Sequence, residues 1–214
     1  MIDTQKANLK IRCVIYDCDG VLFDSLESNT KLYNDLCALA GRGPLREDEI
    51  QYVHTHTVFE AIHFIFGKEN DLEKKALEIL KEKQVDLKNY VNYLRMEPHL
   101  LQALERLKEK GILRAINTNR TTSMKYIMER FNLWPYFEMV VTALDVKNPK
   151  PHPESIEKII ETFKLTREEA VFVGDSDVDQ QTAESSGIKF IAYKNKKIAN
   201  DLYMEDHLDV LNIV

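Results

Sequence analysis

Asp17 and Asp19 stand one residue apart in Tyr16-Asp17-Cys18-Asp19-Gly20, directly after the short apolar run Ile11 to Tyr16. Two carboxylates at that spacing repel each other unless a cation or a shared proton relieves them, and Gly20 lets the backbone turn sharply behind them. The situation recurs in Gly174-Asp175-Ser176-Asp177-Val178-Asp179, which follows the apolar run Ala170 to Val173. If the two runs are neighbouring strands, the acidic loops meet. A cluster of hard carboxylate oxygens, with no histidine or thiolate close in sequence, suits magnesium better than zinc or copper. Alone, either pair reads equally as a solvated turn or a helix cap.

Two further segments supply the opposite chemistry. Thr118-Asn119-Arg120 follows the run Ile112 to Asn117; its hydroxyl, amide and guanidinium are suited to phosphate oxygens, with help from the amides of a helix that begins just after. Lys150 lies in Lys147-Asn148-Pro149-Lys150-Pro151, where flanking prolines restrict the backbone and so the reach of the ammonium. Singly, Thr118 reads as a helix cap and Lys150 as a surface charge. Together they place anion donors beside a carboxylate set able to hold a metal.

The elements that must position these groups alternate along the chain. After strand 11–16, Leu100, Leu101, Leu104 and Leu107 repeat at helical spacing between Pro98 and the stop signal Gly111. Strand 112–117, a helix over 123–131, strand 138–141, a helix over 153–163, strand 170–173, a helix over 178–186 and strand 188–193 follow. Strands alternating with helices predict an α/β fold, a doubly wound parallel sheet of Rossmann-like type with functional groups at the carboxyl ends of its strands. Residues 25–94 break the rhythm with helical periodicity alone (Leu32, Leu36, Leu39; Val58, Ile62, Ile65; Ala76, Leu77, Leu80). They read as an inserted α-helical cap domain over 25–94, opened by an Asp24–Glu27 cap. The core domain then comprises 1–24 and 95–214. Helices packed simply on the sheet are the alternative.

Composition narrows the function classes. A net charge of −6 offers no basic field for nucleic acid or an anionic membrane surface. The lead-in Met1 to Lys10 is polar, and no apolar run approaches the roughly 20 residues of a membrane span. Cys13, Cys18 and Cys37 lack Cys-x-x-Cys spacing, which argues against a disulfide framework and a zinc site and for a cytoplasmic location. The expected partner is a small molecule, not nucleic acid or a membrane; oligomeric state is not legible.

Asp17-Cys18-Asp19-Gly20-Val21-Leu22-Phe23-Asp24-Ser25, Thr118-Asn119, Lys150-Pro151 and Gly174-Asp175-Ser176-Asp177-Val178-Asp179, in that order, resemble the four motifs of the haloacid dehalogenase-like hydrolases. A helical insertion between the first two is similar to the branch holding phosphoglycolate phosphatase and β-phosphoglucomutase. The resemblance implies a magnesium-dependent phosphatase acting on a small phosphorylated metabolite. Asp17 would be the nucleophile, forming an aspartyl-phosphate, and Asp19 the acid and base. Thr118 would hold the phosphoryl group and Lys150 would orient Asp17. Mg2+ would rest on the Asp17 carboxylate, the Asp19 backbone carbonyl and Asp175, with Asp179 at or just behind the metal. Asn119 and Arg120 are candidate substrate contacts.

Some residues depart from the pattern. Cys18 stands where the family has a bulky apolar residue and is expected to point into the core. Arg114 is unusual in a central strand and is expected near the sheet's exposed end. Asn117 either shapes the phosphate loop or bonds neighbouring backbone. His54 and His56 lie in a segment between helical stretches, where a solvated loop is the plainer reading and spacing by two disfavours a joint metal site; His56 is carried as a candidate substrate contact. The rival functions are a phosphosugar mutase of the β-phosphoglucomutase kind, which shares the Asp17 and Asp19 chemistry, and a catalytically silent regulatory protein on the same scaffold. A dehalogenase is disfavoured, because Asp19 and the acidic loop are surplus when halide leaves.

Overall fold

The computed structural model describes residues 11–200 and 202–214; the polar lead-in Met1 to Lys10 lies outside them. Strand β1 (Cys13–Tyr16) is buried along its whole length, as its apolar run predicts for a strand covered on both faces. It pairs in parallel with β4 (Leu113–Asn117) on one side and β6 (Ala170–Gly174) on the other. β5 (Met139–Val141) extends the sheet beyond β4, while β7 (Lys189–Tyr193) and β8 (Tyr203–Met204) extend it beyond β6. The order β5-β4-β1-β6-β7-β8 switches direction between β1 and β6, the place where open parallel sheets carry their crevice. β8 carries no pattern in the sequence, because two residues cannot establish a period.

Alternate residues of each strand face different layers. Val14 and Tyr16 join a cluster with Leu100, Leu104 and Leu107 of α6 (Leu100–Glu109) and with Met124 and Ile127 of α7 (Ser123–Arg130). Cys13 and Ile15 join Ile156 and Ile159 of α8 (Glu154–Phe163) and Ala183 of α9 (Asp177–Ser186). The three α6 leucines at 1% exposure or less each contribute about 1.5–3 kcal/mol by leaving water. α6 begins two residues after Pro98, with His99 as its N-cap at φ 59°.

Arg114 corrects an expectation. It is 3% exposed rather than at an open end of the sheet. Its Nε donates to Tyr136 O at 2.9 Å, Nη1 donates to Ile112 O at 2.6 Å, and Nη2 pairs with the Glu138 carboxylate. A buried guanidinium is tolerable because its donors are met. Cys18 is buried as expected, and burial raises its thiol well above the ordinary value. Asn117 is 1% exposed, and its Nδ2 has no hydrogen-bond partner among the described residues.

Helices α1 (Leu26–Ala40), α2 (Glu47–Thr55), α3 (Val58–Phe66), α4 (Asp71–Lys81) and α5 (Leu87–Tyr90) fall between the first and second sheet motifs. α1 to α4 surround an apolar cluster of their own that includes Leu36, Ile62, Ile65, Ala76 and Ile79. The chain enters and leaves this region through a two-stranded antiparallel ribbon, β2 (Phe23–Asp24) against β3 (Arg95–Met96). That pairing explains why the Asp24–Glu27 cap does not form. Ser25 is the N-cap without a side-chain bond; Asp24 accepts from Leu26 N at 3.3 Å, and the ribbon brings Arg95 to Glu27 at 3.0 Å.

The loop from Cys18 to Phe23 is pinned from behind by His207, whose Nε2–H donates to Val21 O at 2.9 Å and whose ring stacks on Tyr193 at 4.6 Å. Burial lowers the His207 pKa from 6.5 to about 4, against the smaller opposing pulls of the Val21 carbonyl, Glu97 and Asp206. The unfolded chain therefore takes up a proton between pH 6.5 and about 4 that the folded chain refuses. Stability from this site is present above that window and falls as pH drops through it, by about 3 kcal/mol in total. Urea unfolding at pH 7 and pH 5 should show His207→Gln with a smaller acid-induced loss than the parent; an equal loss would contradict this assignment.

Candidate active site

The register of the three central strands decides where the chemistry meets. Tyr16 lies opposite Ile116 on one side and Val173 on the other, so Asp17, Thr118 and Asp175 emerge at neighbouring strand ends. The backbone N–H of Asp17 donates to Val173 O at 2.9 Å and that of Thr118 to Val141 O at 3.0 Å, which holds both residues to the sheet beyond its last ladder rungs. Gly20 is required here. Its φ is +72°, and a Cβ would fall 2.0 Å from Asp175 Oδ2. Gly174 serves the other loop, since a Cβ there would lie 2.3 Å from the Cβ of Asp179.

Asp179 is placed by local sequence. Ser176 and Asp179 form a capping box at the start of α9, with the Ser176 hydroxyl and amide both donating to Asp179 Oδ2, at 2.6 and 3.2 Å. Its other oxygen accepts from Lys150 Nζ at 2.6 Å, and the same ammonium lies 2.8 Å from Asp17 Oδ1. Lys150 is 4% exposed. Burial alone would lower its pKa, but Asp17 and Asp179 outweigh that and hold it charged.

Oxygens of Asp17, Asp175 and Asp179 all lie within 4.8 Å of one another. Burial, then Asp179, push the Asp17 carboxyl up to about 7 despite Lys150, and burial with the charges of Asp179 and Asp17 raises Asp175 well above the ordinary range. One ammonium is therefore not enough positive charge for three carboxylates. The set is all hard oxygen, so its chemistry fits Mg2+. Asp17 and Asp175 could hold the ion directly. Asp179, with one oxygen on Ser176 and one on Lys150, lies beside them as a support.

The Asp19 side chain belongs to a different group. Both its oxygens are taken by Arg120, from Nε at 2.7 Å and Nη2 at 2.6 Å, and Asn29 Nδ2 donates to one of them at 3.3 Å. Burial pushes the carboxyl upward, but the guanidinium prevails and its pKa lies below the ordinary value. Only its backbone carbonyl is left for a metal. Arg120 is itself aimed by its neighbours, since its N–H donates to Thr118 Oγ1 at 3.1 Å and Nη2 donates to Asn29 Oδ1 at 3.2 Å. Asn119 Nδ2 donates to Lys150 O at 3.2 Å, tying the two loops together, while its buried Oδ1 has no partner among the described residues.

A cavity of about 60 Å³ is bounded below by Asp17, Asp19, Thr118, Asn119, Arg120 and Lys150 and above by residues of the helical region, among them Asn29, Tyr33, His54 and His56. The solvated-loop reading of the histidines is thus replaced. His54 sits on the last turn of α2, its Nδ1 accepting from Asn29 Nδ2 at 3.3 Å with Ser25 Oγ 3.5 Å away. His56 follows as the helix C-cap, its Nδ1–H on Tyr52 O at 3.0 Å and its ring stacked on Tyr52 at 3.7 Å. Asn29 and His54 escaped the reading by motif. Asn29 did leave a signal, as a polar residue in the buried stripe Asn29, Tyr33, Leu36, Cys37, Ala40 of α1.

A sheet whose central strand ends in two carboxylates, the first buried against a lysine and a second acidic loop, defines a class. The haloacid dehalogenase-like hydrolase family profile matches residues 14–193, and the chain belongs to that family. A hydrolase of subfamily IA, variant 1, of the haloacid dehalogenase superfamily from Geobacter sulfurreducens superimposes with a TM-score of 0.83 at 36% identity, covering 95% of this chain and 100% of the other. A phosphoglycolate phosphatase from Rhodobacter capsulatus is 27% identical over 187 residues, 84% of this chain and 83% of that one. A β-phosphoglucomutase from Clostridium difficile shares the fold, with a TM-score of 0.80 over 94% of this chain and 93% of its own at 17% identity. No helix among the described residues is long and apolar enough to cross a membrane.

Proposed function

We propose that the chain is a magnesium-dependent phosphatase that hydrolyses a small phosphorylated metabolite through an aspartyl-phosphate on Asp17, with residues 25–94 acting as its cap. The observation that carries this reading is the contact of Lys150 with Asp17 Oδ1 in the cavity between the sheet and the helical region, beside the carboxylates of Asp175 and Asp179. Asp17 attacks phosphorus as the bond to the leaving oxygen breaks, and Asp19 gives that oxygen a proton. Water then attacks the phosphoryl group, Asp19 takes its proton back, and phosphate leaves with the Asp17 carboxylate restored. Magnesium, when bound by Asp17, Asp175 and the Asp19 carbonyl, supplies the positive charge that lets a carboxylate meet a phosphate dianion.

Lys150 orients Asp17 and favours its ionised form, and the Thr118 hydroxyl, able to donate to a phosphoryl oxygen, bounds the phosphoryl position. Arg120 has a double task in this reading. It holds Asp19 in place through both carboxylate oxygens, and an incoming phosphate ester offers its guanidinium other oxygens, freeing Asp19 to take up a proton and reach the leaving group. Asp19→Asn tests the scheme. p-Nitrophenolate needs no proton to leave, so this variant should release one nitrophenolate per chain in a magnesium-dependent burst and then turn over about 10²–10⁴-fold more slowly than the parent. Acid quenching should recover the phosphoryl group on Asp17. A phosphoryl group on another residue, or steady turnover without a burst and at the parental rate, would overturn the scheme.

A further inference from the structure

A second space of about 850 Å³ opens between the helical region and the sheet domain. Val58, Leu87 and Thr121 line both it and the catalytic cavity, so the two share walls. Its remaining surface is mainly apolar, built by Phe59, Leu77, Leu80 and Val85 from one side and by Tyr126 and Leu144 from the other, with Lys81 and Lys83 among the polar groups. Phe59 and Leu144 stay 59% and 58% exposed. Concentrated apolar surface of this kind marks a binding site when it adjoins one.

We propose that this groove receives the leaving group of the substrate, and that the substrate is therefore a phosphomonoester of an aromatic or extended hydrocarbon alcohol. The inference rests on the phosphatase reading for the phosphoryl end. A substrate confined to the catalytic cavity would leave the whole apolar wall in water. A leaving group running from Asp17 past Val58 and Leu87 would cover it, and burying that surface is favourable in proportion to its area. The occupant meets Phe59 on the insertion and Leu144 on the sheet domain at once, so it also fixes how the two approach.

Phenyl phosphate and 1-naphthyl phosphate test this, because their leaving groups differ little in acidity but one carries an extra fused ring. The naphthyl ester should show a roughly tenfold higher kcat/KM, expressed mainly in KM. Phe59→Ser and Leu144→Ser, both at exposed positions, should remove most of that advantage, lowering kcat/KM for the naphthyl ester several-fold more than for phenyl phosphate. Equal kcat/KM for the two esters, or an advantage that survives both substitutions, would overturn the assignment. Binding of phenylphosphonate and 1-naphthylphosphonate, measured by calorimetry with Mg2+, separates it from the phosphatase reading. A roughly tenfold preference for the naphthyl compound that Phe59→Ser abolishes supports the groove even where neither ester is hydrolysed, an outcome that would count against the phosphatase reading alone. A dimer that Phe59→Ser dissociates, without any preference between the phosphonates, would instead assign the groove to a second copy of the chain and overturn the proposal.

Discussion

Asp17→Asn is expected to lower kcat for phosphate release by about 10⁴-fold or more while leaving the fold intact. The amide keeps the shape of the carboxylate but lacks the negative oxygen that must attack phosphorus. The physical signature besides lost activity is a change in the response to metal. Asp17 is buried against Asp179 and Asp175, and burial and repulsion already push its carboxyl up to about 7. Taking its charge away relieves that repulsion, so the melting temperature in EDTA should be unchanged or higher than the parent's. The stabilisation gained on adding Mg2+ should be smaller, because one hard ligand is gone. Thermal scans with and without Mg2+, alongside phosphate release, check both halves. Residual turnover within tenfold of the parent would remove Asp17 from the nucleophile role.

Lys150→Met carries the second large effect, and it falls on stability as well as rate. Lys150 bridges Asp17 and Asp179 from a site that is 4% exposed. Removing the ammonium leaves buried carboxylates without their cation, which costs about 3–5 kcal/mol when one partner of a buried pair is lost. Mg2+ can replace part of the missing charge, so the loss in urea unfolding should be largest in EDTA and smaller at saturating Mg2+. Turnover should fall by about 10²–10³-fold even with Mg2+ present, since the ion cannot also occupy the position of Nζ against Asp17 Oδ1. An equal stability loss in both buffers would mean that the three carboxylates do not form one electrostatic unit.

Much of this site is legible in the sequence, and for identifiable reasons. Asp17, Thr118, Lys150 and Asp175 each follow an apolar run or a proline-restrained turn, and parallel strands bring their carboxyl ends together. Ser176 and Asp179 announce their relation by the spacing of a capping box. Other features left little or no signal. β2 and β3 are two residues each, too short for a period, yet their pairing sets the entry to α1. Arg114 looked out of place in a central strand because Glu138, its partner on the neighbouring segment, is defined only by the sheet register.

The sequence by itself therefore determined the alternation of strands and helices, the helical nature of residues 25–94, and the kinds of groups that stand at the strand ends. These follow from local periodicity and local backbone chemistry. Tertiary structure alone decided the partners. It set Arg120 against Asp19 from 101 positions away and brought His54 beside Asn29. It also joined Phe59 and Leu144 across one groove. Such pairings depend on how separate elements pack, and the free energy that selects them comes from burying surfaces that no short stretch of chain possesses alone.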